Sequence, residues 1–355
     1  MKRILFVFLF PLLIFPQKSD LKFHEVFSKS QNNKVSCYRI PSIITTDKGT
    51  LIAAVDERVL SCNDLKSNRD INIVIRTSND EGKSWSSINR LVDYPFGESA
   101  SDPSMIFDKK TKQIYLFYNY MNLEKDKDVY YLKYVTSLDN GITWSQPIDI
   151  TDQISKPEWK NDFKFITSGR GFQTKDGALL HCLVNLQNGT HVFGSNDHGK
   201  TWYIAEAPIS LGDESKIVEL NDGSWLVNSR VNNKGIRYSH ISKNQGKSWT
   251  TRPEINLIDP GCNASLVKYD YGNYINSDLL LLSNINNQST REEIVIRHSL
   301  NGGETWSEPR IIYAGSAAYS SMTVLNNGEI GLLFERDNYS KNVFTKFSLH
   351  WLMNN

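Results

Sequence analysis

One eight-residue motif, repeated five times, constrains this chain more than any other feature of its sequence. SNDEGKSW (78–85), SLDNGITW (137–144), SNDHGKTW (195–202), SKNQGKSW (242–249) and SLNGGETW (299–306) start at intervals of 47 to 59 residues. A period of that order, filled with short strands, specifies a propeller or an array of like β units. The motif itself reads as a hairpin turn. Asp80, Asp139 and Asp197 can accept hydrogen bonds from turn N–H groups, and a central Gly supplies the positive φ of a tight turn. Trp85, Trp144, Trp202, Trp249 and Trp306 close the copies as apolar plugs. Five of the eight tryptophans are spent this way, so the motif is architectural rather than catalytic. Asn244 and Asn301 replace Asp in the last two copies, and an amide oxygen accepts the same turn bonds.

Composition narrows the function classes. The 355 residues carry 40 basic and 39 acidic side chains, so there is no electrostatic footprint for nucleic acid. Aromatic residues make up 11%, which suits a strand-rich fold. Lys2 and Arg3 precede an apolar run from Ile4 to Phe15; a basic start and a run this short describe a secretory signal, expected over 1–17, with an uncleaved anchor as the alternative. Location is therefore expected to be secreted or periplasmic. Cys37, Cys62, Cys182 and Cys262 have no C-x-x-C spacing, and four separate buried thiols are expected, with a Cys37–Cys62 bridge as the alternative. The seven histidines are scattered without ligand spacing and no Gly-rich loop cradles a phosphate, so no metal and no cofactor is expected.

Read in order, LKFHEVF (21–27) is a strand, and SCYRIPSIITTDKGTLIAAVDER (36–58) is strand, turn and strand. Four-strand units follow the motif, near 37–95, 100–150, 165–207, 213–256 and 261–312. MTVLNNGEIGLLFER and NVFTKFSLHWL offer three further strands without a motif, one short of a unit, and the 21–27 strand can supply the fourth so that no edge stays open. No Gly/Ser/Pro-rich linker divides the chain, so 18–355 is expected to be one domain.

The repeated octapeptide resembles the Asp box of sialidases (neuraminidases), and YRIP (38–41), followed by DER (56–58) and NDL (63–65), resembles the first signature of that family. The resemblance covers about 35–352. It implies an all-β, six-bladed β-propeller with Asp-box hairpins far from the active site. It also implies residue roles. Arg39 would bind the sialic acid carboxylate, Asp64 would be the acid/base, with Asp70 as its competitor, and Arg58 and Asp102 would lie near the sugar 4-hydroxyl. DESKIVELNDGSWLVNSR (213–230) resembles the next signature and implies Glu214 as the carboxylate that activates the nucleophile and Arg230 as the second carboxylate-binding arginine; Glu219, within the strand, is the alternative to Glu214. Before the fifth box stand Arg291 and Arg297, of which Arg291, at the start of its strand, is preferred as the third arginine. AAYSSMTVLNNGEIGLLFER (317–336) resembles the C-terminal signature, implying Tyr319 as nucleophile and Glu335 as the carboxylate that holds Arg39.

The chemistry of that set is coherent on its own terms. Converging guanidiniums are costly unless an anion binds there, and the Arg fork fits a carboxylate in bidentate fashion. A carboxylate nucleophile approaching an anomeric carbon that bears a carboxylate meets like charge, whereas a Tyr hydroxyl is neutral until a base such as Glu214 takes its proton. Sialidases with a Tyr nucleophile are a known exception to the two-carboxylate scheme. The expectation is a monomeric, retaining exo-α-sialidase acting on sialylated glycans, with no nucleic-acid partner and no membrane partner beyond export. The alternatives are a trans-sialidase, a deaminated-sialic-acid hydrolase, or a non-catalytic sialic-acid-binding propeller.

Overall fold

The computed structural model describes residues 21–354, so the 1–17 signal lies outside the described residues. Its architecture is all-β. Helix is confined to short pieces such as Thr151–Ile154 and Leu349–Met353, and among the described residues no helix is long and apolar enough to cross a membrane. The first sheet is an antiparallel meander of Cys37–Thr45, Leu51–Arg58, Ile71–Ser78 and Asn89–Val92. Meanders follow from Glu98–Phe107 to Ile148–Asp149, from Lys164–Ile166 to Tyr203–Ile204, and from Ser215–Glu219 to Thr250–Ile258. The remaining strands form one seven-stranded sheet. Its hinge is the 15-residue strand Arg310–Val324, whose first half pairs with Glu292–Ser299 and whose second half pairs with Ile330–Arg336. The last member is His24–Ser28, antiparallel to Lys341–Phe347, so the N-terminal strand supplies the missing partner.

Inner strands such as CYRIPSIIT are buried almost throughout, because both faces of each sheet meet a neighbour and no solvent face requires alternation. Apolar clusters fill the spaces between successive sheets. Ile52 and Ile73 meet Met105 and Leu116, Phe117 meets Leu183 and Phe193, Leu180 meets Ile217 and Val227, and Leu226 meets Leu266 and Leu280. One cluster links the two halves of the seven-stranded sheet through Ile294, Ile296 and Leu332. Another joins Ile43 and Val55 of the first sheet to Leu333 and Phe344 of the last.

All five boxes connect the third and fourth strands of their meanders. Asp80 accepts from Ser84 N–H at 2.9 Å and from its hydroxyl at 2.5 Å, while Ser78 Oγ accepts from Gly82 N–H at 2.9 Å. In the fifth copy Asn301 keeps the first bond through Oδ1 and reverses the second, donating from Nδ2 to Thr305 Oγ1 at 3.0 Å. These bonds hold the carboxyls of Asp139 and Asp197 down at about 2. The box glycine rests on the preceding sheet: a Cβ on Gly246 would lie 2.7 Å from Ala205 Cβ and one on Gly303 2.9 Å from Leu226 Cδ2. Gly82 of the first box meets Phe344 of the last sheet in the same way.

Cys37 and Cys62 form a disulfide with Cα atoms 5.7 Å apart, which corrects the expectation of four separate thiols. Extended strands and their connecting loop bring the two cysteines within bridging range, a proximity that spacing alone does not reveal. Cys182 and Cys262 are buried and free, as expected.

Candidate active site

Three bulges aim the side chains of the site. Register slips between Arg39 and Ser42, between Ser101 and Ser104, and between Ala317 and Ser320. An extra residue unpairs part of a strand and redirects its neighbours. In the first two bulges the slip is a matched device. Ile40 and Asp102 have φ of 64°, and each precedes a proline, Pro41 and Pro103, which removes one ladder donor. For a β-branched Ile that conformation is strained and needs an anchor. Buried carboxylates provide it: Glu335 accepts Ile40 N–H at 2.9 Å, and Asp56 accepts Asp102 N–H at 2.9 Å.

Glu335 also accepts Arg39 Nε at 2.6 Å and Tyr319 N–H at 3.1 Å, and its side chain is 1% exposed. It thereby ties together the first and third bulges. Glu214 and Arg230 flank the open end of the Ser215–Glu219/Trp225–Ser229 hairpin, where their backbones remain paired through Arg230 N–H to Glu214 O at 3.0 Å. Arg230 Nη1 donates to Glu214 Oε2 at 2.6 Å and to Tyr319 Oη at 3.0 Å. Arg291 Cζ lies 5.3 Å from the centroid of the Tyr319 ring and Arg39 Cζ lies 5.7 Å from it. Arg39, Arg230, Arg291, Glu214, Glu335 and Tyr319 are thus one cluster, drawn from positions 39 to 335. Burial pushes the Tyr319 phenol well above its usual 10, the charge of Glu214 pushes the same way, and Arg230 and Arg291 oppose. The phenol is therefore neutral at neutral pH.

A second group adjoins it. Arg58 donates to Asp56 Oδ2 from Nε and Nη2 at 3.1 and 2.9 Å, and to Asp64 Oδ1 from Nη1 at 2.7 Å. Asp64 sits two residues beyond Cys62, whose bridge to Cys37 ties that loop to the first strand of its sheet, with its side chain 83% exposed. Asp102 accepts from Asn119 Nδ2 at 3.1 Å. Burial raises its carboxyl well above the usual range, the charge of Asp56 adds to that, and Arg58 pulls the other way.

The three alternatives lie elsewhere. Asp70 accepts from Asn72 Nδ2 at 3.2 Å at the base of its loop. Glu219 caps Lys175 N–H at 2.8 Å at the far end of its strand. Arg297, in mid-strand opposite Leu282, is spent on Ser307 O and Asn286 Oδ1 at 2.9 and 3.0 Å.

Two members of the site were missed in the sequence. Tyr339 stacks under Arg39, 4.1 Å from Cζ to ring centroid, and its hydroxyl accepts from Arg291 Nη1 at 3.1 Å. It ends a run of three positive φ values, at Asp337, Asn338 and Tyr339, and the Asp-Asn pair was the available turn signal. Asp56, inside the DER segment, anchors both Arg58 and the Asp102 bulge. Among the described residues no group of His, Cys, Asp or Glu could hold a metal ion.

The comparisons with known proteins agree with this picture. A family model described as a BNR repeat-like domain matches residues 49–332. A sialidase of Micromonospora viridifaciens is 31% identical over 346 residues, covering 89% of this chain and 52% of that protein. A sialidase of Bacteroides fragilis is 29% identical over 330 residues, covering 84% and 60%. The chain thus spans between half and two thirds of the length of these two relatives. Among solved structures, a Hadza microbial sialidase superposes with a TM-score of 0.82 at 27% identity, covering 91% of this chain and 68% of that one.

Proposed function

Because this chain belongs to the family of BNR repeat-like, sialidase-type domains, we propose that it is a retaining exo-α-sialidase, a glycoside hydrolase that releases terminal sialic acid from glycoproteins, glycolipids or oligosaccharides. The observation that carries the reading is the convergence of Arg39, Arg230 and Arg291 on Tyr319, whose hydroxyl shares Arg230 Nη1 with Glu214. A lectin needs an anion clamp but no Tyr/Glu couple, and this couple disfavours the non-catalytic alternative.

In this reading the three guanidiniums hold the substrate carboxylate, and Glu335 keeps Arg39 in orientation. The Tyr319 oxygen attacks the anomeric carbon as its proton passes to Glu214, while Asp64 gives its proton to the departing glycosidic oxygen. Water then attacks the sugar–Tyr bond, Asp64 takes a proton from it, and the phenol recovers its own from Glu214. Two displacements give net retention. Arg58 and Asp102 face the sugar 4-hydroxyl.

We propose a single domain in the form of a closed ring of six blades. The support is cyclic contact. Apolar clusters join each sheet to the next and the last to the first, and the first Asp box rests on Phe344 of the final sheet as later boxes rest on their predecessors. The enzyme acts as a monomer and is exported, a reading supported by the basic-apolar start of the sequence.

The test separates acid from nucleophile by leaving group. Asp64→Ala should retain far more activity on an aryl sialoside than on a sialyl-galactoside, since a phenolate leaves without a proton. Tyr319→Phe should be heavily impaired on both substrates. NMR of the first-formed anomer decides between hydrolysis with retention, transfer, and inversion. An Asp64→Ala enzyme equally impaired on both substrates would move the acid/base role off Asp64, and a fully active Tyr319→Phe enzyme would remove the covalent route.

A further inference from the structure

We propose that the chain carries a second anion site, for an organic carboxylate of sugar size, in a cleft at the opposite end of the sheets from the arginine cluster. The cleft has a volume of about 790 Å³, and none of its lining residues belongs to the cluster described above. Glu214 and Arg230 flank one end of the Ser215–Glu219/Trp225–Ser229 hairpin, while Asn221, Asp222 and Gly223, its turn, line the cleft at the other. The five paired residues of each strand separate the two places by roughly 17 Å.

Arg170 lines the cleft. It stands on the short strand Gly169–Arg170, parallel to Glu98–Phe107, and donates from Nη1 to Met322 O at 3.0 Å. Among the described residues it has no carboxylate partner. Arg58 and Arg237, enclosed arginines elsewhere in the fold, face Asp56 and Asp259 at 2.9 and 3.0 Å. Arg170 is half-buried without such compensation, and burial lowers it to about 10. A half-buried guanidinium held by one backbone carbonyl keeps N–H donors free toward the cleft, and its planar fork is the donor that a carboxylate matches best.

The surroundings select among anions. Ile106, Phe172, Leu220 and Val267 supply apolar wall, which suits the body of a pyranose rather than a bare inorganic ion. Lys110 and Lys175 are exposed on the rim and have no ion pair among the described residues. Four carboxylates also line the cleft, of which Asp176 is exposed and makes no ion pair among the described residues. Glu219 accepts Lys175 N–H at 2.8 Å, Asp222 accepts Ser224 N–H at 2.9 Å, and Asp270 pairs with Lys109 at 3.6 Å. Lys109, Lys110, Arg170, Lys175 and Lys268 face those four carboxylates across the lining, a small cationic excess with an unpaired guanidinium in the wall.

The test is a calorimetric titration of the full chain with sodium D-glucuronate, with methyl glucoside as the uncharged control. The expected result is saturable glucuronate binding that weakens at least about tenfold in Arg170→Met, the effect of one lost charge-assisted contact. Arg291→Ala should bind the uronate at that site as the wild type does, and methyl glucoside should not bind. Arg170→Met should turn over an aryl sialoside at the wild-type rate, so failure of this site and failure of the hydrolase reading are seen separately. Should Arg170→Met not fold, Lys110→Gln combined with Lys175→Gln, both on exposed side chains, should weaken glucuronate by about threefold through the lost rim charge. Absence of saturable binding, binding indifferent to these variants, or binding abolished by Arg291→Ala would each overturn the proposal.

Discussion

Replacing Glu335 with Gln tests whether one buried carboxylate organises the cluster. Glu335 accepts from Arg39 Nε, Arg39 Nη2, Ile40 N–H and Tyr319 N–H at 2.6, 3.4, 2.9 and 3.1 Å. Every contact is a donor facing it, so Gln must turn its NH2 group toward at least one N–H and also loses the charge. Arg39, whose side chain is 11% exposed, is then left without its counter-ion. Removing one partner of a buried pair costs about 3–5 kcal/mol, most of it the unpaired charge that remains. The assay is urea unfolding at pH 7 of the wild type, Glu335→Gln, Arg39→Met and the double variant. Arg39→Met removes the charge that Glu335 neutralises, so the second substitution should cost much less once the first is made, with a coupling of at least about 1.5 kcal/mol. A coupling below about 0.5 kcal/mol would refute the reasoning, because the carboxylate would then serve the backbone of the bulges rather than the guanidinium. Sialoside kinetics on the folded single variant should show kcat/KM falling with Arg39 misaligned.

Three further outcomes follow from the geometry. Arg291→Ala should raise KM for a sialoside severalfold or more, whereas Arg297→Ala, whose contacts are a carbonyl and an amide oxygen away from Tyr319, should change stability but not the kinetics of the folded fraction; the reverse pattern would reassign the third arginine. Asp102→Asn keeps shape and tolerates positive φ while abolishing titration. Folding raises the Asp102 pKa above the unfolded 3.8, so the wild-type group favours the folded state below that value and loses this contribution as pH climbs through the folded pKa. Asp102→Asn should therefore be stabilising at pH 7 relative to the wild type and lose that advantage near pH 3, and an advantage independent of pH would contradict the assignment. Asp139→Ala breaks the box bonds to Thr143 N–H and hydroxyl at 2.9 and 2.5 Å, so it should lower the melting temperature and leave turnover per folded molecule unchanged.

Much of this was legible because the chain repeats itself. Each box predicted a turn between two strands, and each turned out to join the third and fourth strands of a meander. Unit boundaries could be read from the same spacing. The paired signatures placed Arg39, Glu214, Arg230, Tyr319 and Glu335 in one cluster although they span nearly the whole chain. Tyr339 escaped because its contribution depends on three successive left-handed residues, and a lone Tyr after Asp-Asn reads as a surface turn. Asp56 escaped because its neighbours in sequence, Glu57 and Arg58, offered the same chemistry; only strand register shows which carboxylate faces the Asp102 bulge. The Cys37–Cys62 bridge required knowing how far the 59–70 loop folds back. The cleft around Arg170 required knowing what an arginine lacks, which residue order does not record.

The pairing of His24–Ser28 with Lys341–Phe347 imposes an order of assembly. The segment synthesised early has its hydrogen-bonding partner more than 300 residues downstream, so it stays unpaired until almost everything else has been made. Contacts of that sequence separation close late and slowly. Over that interval an apolar edge, Val26 and Phe27, is exposed to any strand that comes near. The Cys37–Cys62 loop spans only 25 residues and can close as soon as the first hairpin exists, organising the neighbouring Asp64 loop while the last sheet is still incomplete. Completion of the last sheet thus waits on a single five-residue strand, and a chain cut back beyond Ser28 at one end or to Lys341 at the other should lose that pairing long before it loses its other sheets.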